Sequence, residues 1–306
     1  MKTESDLLAE ADACHDDDVP RGAELLRSID PKALVAGEAS TYAFLINHVL
    51  GEKLGCWGEA LKRQHRILER PEPSQVLWRQ FGAAAYAAGD MAALQRAASA
   101  YATANQVDVA RARDVLQLSG AMYQVPASLD AEAAALTQGA ITPLTGVAWQ
   151  SVSSLDGAVA ACLNNLASGL QDRPLSELRH AALRTVMVRC AELAHLFWQR
   201  AGTWVNLERA LYLRAMVANA LGDARAARSF AIEALAVLDT NDDAHVEDVD
   251  RAFIELERAH ACGQLGLNDE AVLARQNAEA IANAFSDASL SRWYESRGAR
   301  LTTLPA

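Results

Sequence analysis

The sequence predicts an all-α protein. Three observations carry that expectation. Its 306 residues include only 17 glycines and 8 prolines, and alanine is abundant. Apolar residues recur at intervals of three and four through most of the chain, while alternating β-branched runs are scarce. Short turns containing Gly or Pro fall between these periodic stretches, as helical hairpins require.

The clearest hairpin is residues 204–239. Leu207, Leu211, Ala215 and Ala218 mark one helix, and Ala227, Ala231, Ala234 and Leu238 the next. Leu221-Gly222-Asp223 joins them, with Gly222 suited to a left-handed helix end and Asp223 to the following N-cap. A stripe of alanines allows close backbone approach, and one hairpin alone cannot bury it.

In chain order, residues 4–13 and 20–28 form short helices around Cys14-His15-Asp16-Asp17-Asp18. That cluster has metal-ligating residue types, yet without partners at ligand spacing it reads as a solvated acidic turn. Residues 38–54 form a helix, followed by Gly55-Cys56-Trp57 and a helix that Pro71 and Pro73 stop. Ser74 caps 75–88, and Gly89-Asp90 turns the chain into 91–105. Helices over 107–122 and 129–138 come next. Residues 139–150 carry no helical pattern and read as a linker or a functional loop. Residues 152–170 and 175–200 make a longer hairpin, with Pro174 at the start of its second helix. After 204–239 comes an acidic turn over 239–245, a hairpin over 247–266 and 269–285, and a capping helix at 290–301. The expected organisation is a helical block over 1–125, a linker or loop at 126–150, and a second block over 151–306.

Gly55 and Gly89 are 34 residues apart, and each turn glycine is followed five residues on by a small or apolar residue. The pairs are Gly55 and Ala60, Gly89 and Leu94, Gly222 and Ala227, Gly266 and Ala271. Trp78, Gly82 and Ala234 add further matches. Over 38–105 and 152–284 the chain resembles tetratricopeptide-repeat proteins, with degenerate repeats: the first-helix glycine is missing from three of the four units. The resemblance implies a right-handed α-α superhelix of helical hairpins whose first helices line a concave groove. It also implies which residues face that groove: Asn164 and Asn165; Arg209, Tyr212, Met216 and Asn219; and Phe253, Glu257 and His260. The N-terminal equivalents, Tyr42, Leu45, Ile46 and Val49 and then Arg79, Gln80 and Tyr86, make a drier surface.

A net charge of −11 argues against nucleic acid and anionic membranes. Mean hydropathy of −0.02 and the lack of a long apolar run argue against a spanning helix. Met1 to Asp18 lacks the basic-then-apolar order of a secretory signal. Five scattered cysteines read as reduced thiols of a cytoplasmic protein. Three Glu-x-x-His pairs occur, Glu177 with His180, Glu192 with His195, and Glu257 with His260. They read as helix-surface contacts, and no metal site, cofactor or catalytic residue is expected. The leading functional expectation is a scaffold or adaptor that binds a peptide or partner protein in the groove. A small-molecule sensor or enzyme using His260, Glu257, Tyr212 and Arg214 is the alternative, and a self-associating module such as a homodimer is a third.

Overall fold

The structure, a computed structural model, describes residues 2–174, 176–241 and 248–304, apart from the side chains of Pro126 and Ala127. Among the described residues it is all-helical, with no strand. The chain divides into two units, Met1–Ala158 and Val159–Ala306.

Unit 1 holds α1 (Glu4–Cys14), α2 (Val19–Ser28), α3 (Ala36–Leu45), a π-helical stretch (Ile46–Lys53), α4 (Trp57–Ile67), α5 (Gln75–Ala87), α6 (Met91–Asn105), α7 (Val109–Ser128) and α8 (Ala131–Ile141). Two short 3-10 turns follow, Thr142–Thr145 and Val147–Trp149. The division falls inside α9 (Asp156–Gln171). Unit 2 continues with α10 (Ala181–Ala201), α11 (Trp204–Ala220), α12 (Ala224–Asn241), α13 (Asp248–Gln264), α14 (Asn268–Ala282) and α15 (Ala288–Leu301). Neighbours in sequence pack as pairs: α5 with α6 and α7 with α8 in unit 1, α11 with α12 and α13 with α14 in unit 2. The first helices of successive pairs also touch, α5 with α7 and α11 with α13.

The turns explain this regularity. Gly89, Gly222 and Gly266 all have φ between 72° and 77°. The residue after each donates its N–H five residues back, Asp90 to Ala85 O, Asp223 to Ala218 O and Leu267 to Cys262 O, each at 2.9 Å. These bonds satisfy carbonyls that a helix end otherwise strands. Asp90 and Asp223 then cap the next helix, accepting from Ala93 N at 2.8 Å and Ala226 N at 3.1 Å. The Gly55 turn differs by one residue: Cys56 N donates six residues back, to Leu50 O at 2.7 Å. The cause is the π-helical stretch before it, where Leu54 N reaches Val49 O. The single helix expected over 38–54 is thus two segments of different pitch.

The alanine stripe is core. Ala215, Ala227, Ala231, Ala234 and Leu238 are fully buried. Ala215, Ala231, Ala234 and Leu238 form one apolar cluster with Leu211, Leu235 and Ile254, and Ala227 joins Ala218 and Ala261 in a second. In unit 1 the drier surface is covered as well, with Tyr42, Leu45, Ile46 and Val49 fully buried.

Other boundaries move for identifiable reasons. The helix expected from 175 begins at Ala181. Before it, Glu177 N donates to Pro174 O at 2.8 Å, Leu178 is buried, and Arg184 pins the Leu178 carbonyl at 2.9 Å. Leu175 itself lies outside the described residues. The helix expected to end at 122 runs through Pro126 to Ser128. The stretch 139–150 packs into unit 1: Trp149 is 1% exposed, and its indole Nε1 donates to Asp114 Oδ2 at 2.9 Å. Residues 239–241 complete α12, and 242–247 of the expected acidic turn lie outside the described residues.

Candidate functional site

The polar residues expected to line a groove in unit 2 sit on α9, α11 and α13, and three of them converge. Asn219 of α11 donates its Nδ2 to the Glu257 carbonyl at 3.1 Å and to Glu257 Oε2 at 2.7 Å. Arg297 of α15 donates Nε to Glu257 Oε1 at 2.5 Å. In the amide orientation that satisfies both its groups, Gln171 accepts from Arg297 at 2.7 Å and donates to Asp172 Oδ1 at 2.9 Å. Arg300, one turn further along α15, donates to the carbonyls of Gln171, Asp172 and Arg173 at the end of α9. Helix C-termini carry partial negative charge, so two arginines of α15 are drawn there.

This network is dry. Asn219, Glu257 and Arg297 are 2%, 0% and 5% exposed. Burial opposes the Arg297 charge, and the Glu257 carboxylate outweighs it, so the guanidinium is held more firmly protonated than usual. Tyr212 is half-buried. Burial, then the nearby Glu257 carboxylate, raises its phenol above the ordinary range. Helix α15 therefore occupies the polar surface that the sequence reading left open for a ligand. Arg297 and Gln171 complete that surface, and neither was singled out from the sequence. Nothing in the sequence links Glu257 to an arginine 40 residues later.

The remaining residues of that set scatter. Arg209 is exposed, bound through Nε to Asp250 Oδ2 at 2.8 Å and 3.5 Å from buried Glu208. Met216 and Asn164 are half-buried, and Asn165 is exposed. His260 is half-buried and lines an open groove of about 430 Å3 between α13 and α14, with Gln264, Val272, Arg275, Gln276 and Glu279. Burial lowers its pKa below the usual histidine value. Val272 in the same groove is more than half exposed.

The three Glu-x-x-His pairs turn to other partners. Glu177 and His180 lie in the turn before α10. Glu192 pairs with Arg189 at 3.0 Å. His195 Nδ1 accepts from Arg214 at 3.0 Å, and Arg214 stacks over the Phe230 ring at 3.8 Å. Glu257 is fully buried rather than on the surface.

Unit 1 repeats the clamp. Asn47 donates its Nδ2 to the Gln80 carbonyl at 2.9 Å and to Gln80 Oε1 at 2.8 Å. Gln64 donates to Asn47 Oδ1 at 3.0 Å, and Tyr123 donates to Gln80 Oε1 at 3.0 Å. In both units an asparagine of one hairpin grips the carbonyl and side chain of a residue nine positions before the next turn glycine, Gly89 or Gly266.

No family model matches the chain, and no curated protein aligns with it significantly. No helix among the described residues is long and apolar enough to cross a membrane.

Proposed function

We propose that the chain is a cytoplasmic interaction module of tetratricopeptide type, which holds a peptide segment of a partner protein on the α13–α14 face. One observation carries this reading: the same glycine turn, with the same five-residue N–H···O closure, recurs in both units. Stacked hairpins of that kind present rows of side chains along parallel helices, a surface suited to an extended partner.

The α13–α14 groove has the necessary chemistry. His260, kept neutral by burial, both donates and accepts, as a peptide backbone requires. Arg275, Gln264 and Gln276 add further polar groups, while Val272 and Ala271 offer apolar contact. Cys14, Cys56, Cys190 and Cys262 stand as free thiols, in keeping with a reducing compartment.

The test places a photo-crosslinking residue at Val272 in unit 2, and separately at Val147 in unit 1, which is 81% exposed. Irradiation in native extract is expected to give a discrete partner adduct from position 272 that the 147 control lacks. The same adducts from both positions, or none from 272, would sink the assignment.

A further inference from the structure

We propose that His15, Asp16 and His48 form a binding site for a divalent transition-metal ion of borderline softness, Zn²⁺ being the reference case. The acidic turn after α1 has the right residue types in the sequence but too few ligands. The fold supplies the missing one from the π-helical stretch, 32 residues away. The three ligand atoms lie within 4.8 Å of one another.

The donor geometry is specific. His15 Nε2 is 3.2 Å from Asp16 Oδ2, and His48 Nε2 is 3.3 Å from Asp16 Oδ1. Ligands held about 2.0–2.1 Å from a tetrahedral ion stand roughly 3.4 Å apart, close to each of these spacings. The two nitrogens meet different oxygens of Asp16, and a small turn of its carboxylate within the 4.8 Å cluster lets one oxygen serve both. The far nitrogen of each ring is also occupied. His15 Nδ1 bonds the Asp12 carbonyl at 2.5 Å, and His48 Nδ1 bonds Glu52 Oε2 at 2.7 Å. A carbonyl can only accept, so His15 carries its proton on Nδ1 and turns the Nε2 lone pair inward. The Glu52 carboxylate accepts from His48 Nδ1, which leaves Nε2, now facing Asp16 Oδ1, as the nitrogen a metal would take on displacing its proton. Metal-binding histidines are typically oriented in this way by a carbonyl or carboxylate behind them.

The rings are held in place. Phe44 stacks on His48 at 5.6 Å with an 8° interplanar angle, and His15 meets it edge-on at 5.3 Å. The histidine side chains are 22% and 15% exposed, while Asp16 is 62% exposed and faces solvent. That side leaves room for a water or exogenous ligand in the fourth position, as open sites have. Two imidazoles and one carboxylate suit zinc, iron, nickel or copper over calcium or magnesium. Lys53 Nζ lies 3.1 Å from Asp16 Oδ1 and serves as the counter-cation that a metal would displace. This site belongs to unit 1 and stands independently of the α13–α14 surface.

The test uses untagged full-length protein, stripped with chelator and titrated with Zn²⁺ by calorimetry, and with Co²⁺ by visible absorption. The expected result is saturable 1:1 binding, with cobalt bands typical of tetrahedral coordination. His15→Gln and His48→Gln should each weaken binding by at least about tenfold, and Glu52→Gln by about 10- to 100-fold. Lys53→Met should tighten it. His15→Gln alters a half-buried turn residue and keeps the test open should His48→Gln fail to fold. Absence of Zn²⁺ binding, binding unchanged in His15→Gln, or equal affinity for Mg²⁺ would each overturn the proposal.

Discussion

Arg297 and Glu257, 40 residues apart in sequence, form an ion pair whose two side chains are both about fully buried, with Nε and Oε1 2.5 Å apart. Removing one partner strands a charge. Arg297→Met should therefore cost about 3–5 kcal/mol in urea unfolding. Glu257→Leu combined with Arg297→Met should recover most of that loss, because Asn219 keeps its bond to the Glu257 backbone carbonyl. A double variant no more stable than the single one would show that the pair does more than neutralise itself.

Asn47 ties three glutamine contacts together inside unit 1. Asn47→Ala leaves the Gln80 carbonyl and both partner side chains short of a bond. The expected cost is about 2–3 kcal/mol, since each stranded buried polar group costs about 1–3 kcal/mol and the contacts relax together. Unfolding midpoints in urea measure it, and a loss below about 0.5 kcal/mol would mean that water replaces the amide.

Two glycines should fail for different reasons. Gly89 has φ +72° and open space where a Cβ would stand, so Gly89→Ala should cost about 1–2 kcal/mol of backbone strain alone. A Cβ at Gly51 would overlap the Trp57 ring, so Gly51→Ala is an overpacking change of about 1–3 kcal/mol. Trp57→Leu should rescue Gly51→Ala and leave Gly89→Ala untouched in a double-mutant comparison of melting temperatures.

His195 gives a pH signature. Burial, then the Arg214 guanidinium, lowers its pKa, with Glu233 acting weakly in the opposite direction. Between the unfolded value near 6.5 and the lower folded value, the unfolded chain binds more protons than the folded one. Stability should hold above pH 6.5 and fall as the pH drops below it. Melting curves from pH 8 to 5 should show a shallower decline in His195→Gln, and identical slopes would remove His195 as a cause.

Helix positions and hairpin turns were legible in the sequence because both depend on local signals. Gly222, Asp223, Ser74 and the alanine periodicity act within a few residues. What escaped was set by residues far apart. The widened pitch over Ile46–Lys53 has no signature in that stretch alone. The occupation of Asn219 and Glu257 depends on where α15 lies, and apolar periodicity cannot reveal that. Trp149 looked like part of a linker until its indole found Asp114.

A widened turn of helix is the imprint of one residue inserted into a regular α-helix. Each residue advances an α-helix by about 100°, so the insertion changes the rotational phase of everything beyond it. Deleting one residue between Ile46 and Lys53 would restore a continuous α-ladder and a Gly55 turn like the other three. Taken ahead of His48, the deletion would also turn that side chain by about 100° away from Asp16. The regular helix was open to this sequence at the cost of one residue, and the chain keeps the arrangement that brings His48 to Asp16.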